Sequence, residues 1–240
     1  RLAGLVHVSE ACCAHFACAW PEVSLPQAVV YNGFDFGQWT PTRPKQSEIL
    51  CVGRCVPEKG ILEAAQAVAR VLPERPEWRA RFSLSEPERD PAYLQEVQGA
   101  ITAAAVSDRV TIELNVPWRG IKDRCEQAAI ALVPSRWREP FGRTALEAHA
   151  GGAALISSGS GGLREVSGPH ALFVDPADID GFANAIRRLI DDEELRRSLS
   201  DGGAQYVRER FSIEAVAAAY DAYLEEVWVK LSKRSKCRAD

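Results

Sequence analysis

The chain has 240 residues, 46% of them hydrophobic and 26% charged, with a formal net charge of −4. That length supports one or two domains around a sizeable core, and the slight acidity excludes bulk attraction to nucleic acid or to an anionic membrane. No apolar stretch approaches the roughly 20 residues that span a bilayer, and no signal-peptide pattern is present. Seven cysteines in a chain too long to need staples argue against a disulfide framework and for the cytoplasm.

The chain starts at Arg1 and contains no methionine, so it is expected to be a piece of a longer one. Residues 2–8 read as a strand, Ser9 caps a helix over 10–19 that Pro21 ends, and Val29, Val30 and Tyr31 form a short apolar piece. One strand and one helix cannot make a layered core. Residues 1–33 are therefore read as the tail of an absent domain, and 34–44, with Gly37, Pro41 and Pro44, as a linker.

Residues 45–211 read as one domain. Ile49 to Val52 is a strand, 53–60 a loop, and 61–72 a helix with Leu62, Ala65, Val68, Ala69 and Leu72 on one face. Phe82 marks a strand weakened by polar Ser83, Ser85 and Glu86; 92–105 is a helix and 109–114 a strand. A helix over 123–129 enters a buried strand, 128–133, and after an irregular loop a helix starts at Gly142. Strands follow at 153–157 and 171–174. Short apolar strands separated by helices indicate a parallel sheet covered on both faces, which binds ligands at the carboxyl ends of its strands. The last third is helical: 178–190, then 193–210 interrupted at Gly202-Gly203, then 213–231 capped by Ser212. The tail, 232–240, continues a basic run (Lys230, Lys233, Arg234, Lys236, Arg238) that reads either as a solvated end or as a peripheral membrane contact.

Three loops after strands carry chemistry. The first, Gly53 to Gly60, sets Arg54 and Lys59 where they can bracket a diphosphate, although a basic pair alone is more often surface charge. The second runs from Pro134 to Glu147, with Glu139 before a helix start and Glu147 within the helix; one carboxylate could grip a sugar and the other a ribose, beside phosphate oxygens at the helix N-terminus. A turn with solvated charges is the plain alternative. The third, Ser158 to Glu165, holds three glycines whose N–H groups could form an anion nest or simply a tight turn. Cys12, Cys13, His15 and Cys18 crowd one helix without a second ligand pair, so no metal is expected. His7 reads as an edge or interface residue, His149 as a group behind the loop helix, and His170 as a turn residue.

The segment Glu139-Pro-Phe-Gly-Arg-Thr-Ala-Leu-Glu147 resembles the glutamate pair of the retaining family 4 glycosyltransferases with a GT-B fold. Gly53-Arg54 to Lys59-Gly60 resembles that family's basic loop, 158–166 its glycine-rich segment, and Asn32-Gly33-Phe34-Asp35 its interdomain linker. The resemblance implies an α/β, Rossmann-like parallel sheet flanked by helices, the C-terminal half of a GT-B fold that binds a nucleotide-diphosphate sugar without a metal. Arg54 and Lys59 would hold the diphosphate, Glu139 the sugar hydroxyls and Glu147 the ribose. Gly53 would allow close approach, and the N–H groups around Phe141, Gly142, Arg143 and Thr144 would face sugar and phosphate. Arg54, Lys59 and Glu139 would be the catalytic set. The helix after Ser212 would return to the other domain, and a glycan or lipid-linked acceptor would bind chiefly to that domain, at the inner face of the membrane. The chain alone would bind the donor and transfer little. The turn at 83–87 departs from the family pattern. Other readings are a non-catalytic nucleotide- or glycan-binding module, or a phosphorylase or epimerase of the same fold.

Overall fold

The computed structural model describes residues 3–85 and 91–236. The N-terminal unit is small: β1 (Leu5–His7) pairs in parallel with β2 (Gln27–Val29), joined by α1 (Glu10–Ala19). Ser9 caps α1 as expected, its Oγ accepting from the N–H of Cys12 at 3.0 Å.

The main sheet is built from β3 (Gln46–Arg54), β4 (Arg79–Ser85), β5 (Val110–Leu114), β6 (Ala128–Val133), β7 (Ala154–Ser157) and β8 (Ala171–Phe173). All its pairings are parallel, in the order β5-β4-β3-β6-β7-β8. The chain therefore reverses direction across the sheet between β3 and β6, the switch point of a doubly wound fold. The helices are α2 (Ile61–Val71), α3 (Pro91–Ala103), α4 (Trp118–Gln127), α5 (Arg143–Ala150), α6 (Leu163–Ser167), α7 (Ile179–Asp191), α8 (Glu193–Phe211) and α9 (Ile213–Lys236).

Alternation along the strands sends side chains to two separate cores. Ile49, Cys51, Phe82, Leu84, Ile130, Leu132 and Ile156 pack with α2, α3 and α7. Leu50, Ala131, Val133 and Leu155 pack with α5, Phe36, Trp39 and Phe211 on the other side.

β4 is a full strand despite its serines. Ala80, Phe82 and Leu84 face a core while Arg81 and Ser83 face the other way. Those polar groups have partners on neighbouring strands: Arg81 reaches Glu48 on β3 and Glu113 on β5 (2.5 Å), and the Ser83 hydroxyl donates to Glu113 at 3.2 Å. Of the departing turn at 83–87, Glu86 and Pro87 lie outside the described residues, as does Arg238 of the basic tail.

The structure corrects four sequence expectations. α4 starts at Trp118, five residues early, directly after Pro117 at the cap. α6 was not foreseen, because five residues show no periodicity. α9 continues to Lys236 rather than 231, since Ser232 to Lys236 contains no glycine or proline.

The fourth correction is the largest: α8 runs unbroken through Gly202 and Gly203. Each glycine costs roughly 1 kcal/mol in a helix, but here the missing side chains make room. A Cβ at Gly203 would lie 2.1 Å from His149 Nδ1, and one at Gly202 would lie 2.4 Å from His170 Nδ1.

Contacts tie the N-terminal unit to the rest. The Tyr223 hydroxyl on α9 lies 3.2 Å from the carbonyls of Leu5 and Pro26, and Tyr223 and Val227 are buried. Tyr220, Leu224 and Trp228, one helical turn apart, remain exposed. Among the described residues no helix is long and apolar enough to cross a membrane.

Candidate functional site

The loops after β3, β6 and β7 converge at the switch point. After β3, Arg54 is exposed and its guanidinium has no hydrogen-bond or ion-pair partner among the described residues. The loop then makes one 3-10 turn over Pro57–Lys59 and enters α2 at Gly60, whose φ is 67°. Any side chain there would meet the Pro134 carbonyl, since a Cβ would fall 2.1 Å from that oxygen.

The second loop is stitched to the first. The N–H groups of Arg136 and Trp137 both donate to the Glu58 carbonyl, at 2.9 and 3.1 Å. This joint brings Lys59 against Glu139, and its ammonium pairs with Oε1. The Ser135 hydroxyl donates to the same oxygen at 2.7 Å. Glu139 in turn forms a bridge with Gly161, and its carbonyl accepts from the Gly162 N–H at 2.8 Å, so the glycine-rich loop buttresses the acidic one.

Gly142, at φ 110°, turns the chain into α5. The first N–H groups of this helix, those of Arg143, Thr144 and Ala145, have no carbonyl one turn back to bond, and the positive end of the helix dipole lies there. Phe141 is a buried anchor rather than a ligand-facing side chain: its ring meets Phe211 edge-on at 5.5 Å and Tyr31 at 6.2 Å.

Glu147 stands apart from the Lys59–Glu139 pair. It is buried and accepts from Arg143 Nε at 2.9 Å. Burial pushes its carboxyl pKa up, and the Arg143 guanidinium and the Trp118 side chain only partly oppose that. Of the sequence-predicted site residues, the structure joins Lys59 and Glu139 directly. Among the described residues it joins neither Glu147 nor Arg54 to them.

Two hollows border these loops. One, about 300 Å³, lies at the ends of β3, β4 and β5 beside Gly53, Ser83, Ser85, Asn115 and Val116. The other, about 440 Å³, separates α1 from the acidic loop and is lined by Cys12, His15, Trp137, Arg138 and Glu139. Across it Cys12 Sγ donates to the Pro140 carbonyl at 3.4 Å.

The histidines fall elsewhere. His7 bonds Gln27 at 2.8 Å, an edge role. His149, near the end of α5, is wholly buried, and among the described residues neither of its ring nitrogens has a hydrogen-bond partner. Cys12, Cys13, Cys18, Cys51, Cys55 and Cys125 are free thiols, and burial raises the pKa of Cys51 to about 12. Among the described residues no three His, Cys, Asp or Glu side chains are placed to hold a metal ion.

Sequence reasoning assigned no role to Ser135 or Glu165. Ser135 looks like any loop serine, and its spacing of four from Glu139 is the one sequence feature that could have marked it. Glu165 accepts the N–H groups of Glu10 (2.8 Å) and Ala11 (2.9 Å), and the Tyr31 hydroxyl at 3.2 Å; no sequence signal reveals that contact.

Residues 38–206 match the family model for glycosyl transferases group 1. The chain is 28% identical over 213 residues to a lipopolysaccharide core biosynthesis mannosyltransferase of Rhizobium leguminosarum bv. viciae, covering 83% of this chain and 60% of that protein. It is 31% identical over 180 residues to an α-(1→4)-mannosyltransferase of Mycolicibacterium hassiacum, covering 74% of this chain and 42% of that one. Among solved structures it superposes on sucrose-phosphate synthase from Thermosynechococcus elongatus with a TM-score of 0.79 at 25% identity, over 94% of this chain and 58% of that one. Anabaena HepE in complex with UDP gives a TM-score of 0.81 at 20% identity, over 93% and 64%. The chain therefore spans about 60% or less of the length of these curated relatives. With a matching family model over most of its length and a parallel sheet reversing at β3 and β6, the chain belongs to the glycosyl transferases group 1 family and forms the C-terminal half of a GT-B fold.

Proposed function

We propose that the crevice binds a nucleotide-diphosphate sugar and that the whole protein transfers the sugar, with retention at the anomeric carbon, to a hydroxyl of a glycan or lipid-linked acceptor. One observation carries this reading. Arg54, without a partner among the described residues, the Lys59–Glu139 pair and the N-terminus of α5 all lie at the ends of, or in the segments after, β3 and β6, the two strands at the sheet's switch point.

In this reading Arg54 and Lys59 bind the diphosphate oxygens, helped by the N–H groups of Gly142, Arg143 and Thr144. Charge then gathers on the diphosphate as the anomeric C–O bond breaks, and these fixed cations and dipoles stabilise it. The acceptor oxygen bonds to the face the diphosphate leaves, and its proton passes to a departing diphosphate oxygen. Glu139 accepts hydrogen bonds from the sugar hydroxyls and Glu147 from the ribose. Gly53 lets the backbone approach, and the hollow by Asn115 and Val116 takes the base. Its relatives support it: two are mannosyltransferases, and HepE was solved in complex with UDP.

The same reading divides the chain into an acceptor-side unit (1–33), a linker (34–44), a donor domain (45–211) and a returning helix. The exposed stripe of Tyr220, Leu224 and Trp228 supports further packing of that helix on acceptor-side structure. Calorimetric titration with UDP, GDP and ADP tests the donor site. One nucleotide should bind selectively, and Arg54→Ala should weaken it at least about ten-fold, the scale of a lost charge-assisted contact. Equal binding of all three, or no effect of Arg54→Ala, would sink the assignment.

A further inference from the structure

Glu139 Oε1 is a shared acceptor. Lys59 and the Ser135 hydroxyl both end on it, and among the described residues no protein donor reaches Oε2. Ser135 is only 1% exposed, so water does not compete for its hydrogen. Its other acceptors, the carbonyls of Glu58 (3.3 Å) and Trp137 (3.4 Å), are neutral and more distant than the carboxylate at 2.7 Å. A hydroxyl has one hydrogen to give, and the nearer, ionised acceptor takes it.

The position of Ser135 is itself fixed. It follows Pro134 directly after β6, and the next two N–H groups are pinned to the Glu58 carbonyl. Ser135 is therefore a rigid donor at the seam between the basic and acidic loops. Lys59 is a long, flexible cation, and a diphosphate entering the loop would compete with Glu139 for it. A carboxylate fastened only by that lysine would be freed as the donor bound, and re-ordering it would cost affinity.

We infer that Ser135 is a positioning residue for the donor sugar, holding Glu139 by Oε1 so that Oε2 is presented to sugar hydroxyls even when Lys59 has turned to the diphosphate. The inference rests on the donor-site reading above and adds to it the element that fixes the carboxylate. Ser135 acts on the sugar moiety alone, so its removal separates two affinities that general damage to the loop would lower together.

The test is calorimetric titration of the chain with three pairs of probes: UDP and UDP-glucose, GDP and GDP-mannose, ADP and ADP-glucose. For whichever pair the wild type binds, Ser135→Ala should leave the nucleoside diphosphate within about two-fold and weaken the nucleotide sugar about ten-fold. In a Glu139→Ala background, Ser135→Ala should add nothing, because its effect passes through that carboxylate. Equal losses for both members of the pair, no loss for either, or a full additional loss without Glu139 would each overturn the role of Ser135 while leaving the donor site standing. A wild type that binds no probe would overturn the donor-site reading itself, and the role of Ser135 with it.

Discussion

Glu147 faces two opposed demands. It is a carboxylate in a buried position whose cationic partner among the described residues, Arg143, has a largely exposed side chain, so burial outweighs that pairing and the carboxyl pKa is raised. Its native form holds a proton more tightly than its unfolded form. The stability it contributes is therefore greatest at low pH and declines as the pH rises through the folded value. A residue kept at such a cost is explained if ribose hydroxyls are its partners. Glu147→Gln should then raise the melting temperature at pH 7.5 while weakening nucleotide binding about ten-fold. A melting temperature that falls, or nucleotide affinity that is unchanged, would show the carboxylate to be structural. At this scale the sequence revealed residues whose chemistry is rare in loops. Glu139 and Lys59 stood out because carboxylates and cations fall in successive loops after buried strands, although either loop alone reads as readily as solvated charge. Ser135 was not, because the significance of a serine lies in its burial and its 2.7 Å contact, neither of which composition records.

At the scale of elements, α8 shows how tertiary packing overrides local propensity. Two adjacent glycines read as a break in the sequence, yet the helix passes through them because His149 and His170 occupy the space their side chains would fill. Gly203→Ala introduces a better helix former but drives a Cβ into the His149 ring, and overpacking of this kind costs about 1–3 kcal/mol. Urea unfolding should show that loss, and in a His149→Ala background the same change should be neutral or stabilising. His149 also sets a pH dependence. Burial, with His170 nearby, lowers its pKa from the ordinary 6.5 to about 3. Above pH 6.5 both folded and unfolded forms are neutral and the stability is fully present. As the pH falls from 6.5 toward 3, only the unfolded chain takes up the proton, and stability drops by about 1.4 kcal/mol per pH unit. Between pH 7 and pH 5 the wild type should lose about 2 kcal/mol more than His149→Met, which keeps the volume without the titration. Equal losses in the two proteins would mean that the ring finds a partner when protonated. The helices and strands themselves were largely legible from periodicity. What remained hidden were elements defined by contacts, such as the five-residue α6 and the polar face of β4.

At the scale of the molecule, the alternation of strands and helices indicated a parallel sheet, but its order could not be read from periodicity, which says nothing of which strands pair. Nor could any local pattern show that Glu165 reaches 155 residues back to the start of α1. That contact makes the start of α6, directly after the glycine-rich loop, one place where the N-terminal unit meets the site, beside the contact of Cys12 with Pro140. The Glu165 carboxylate takes two orphan N–H groups at the positive end of α1, and through Tyr31 it holds the chain just before Asn32. The glycine-rich loop supports Glu139 through Gly161 and Gly162. Glu165→Ala should therefore loosen one joint and spare the other. Hydrogen exchange at the Glu10 and Ala11 amides should accelerate about ten-fold, the scale of a lost charged cap, while amides of β3 and β6 keep their protection and nucleotide affinity stays within about two-fold. If protection at Glu10 and Ala11 is unchanged, the cap is dispensable and other contacts, such as that of Tyr223 with Leu5 and Pro26, hold the unit in place. If nucleotide affinity falls with the amide protection, the joint is part of the site, and the N-terminal unit bears on donor binding through α6, which carries Glu165.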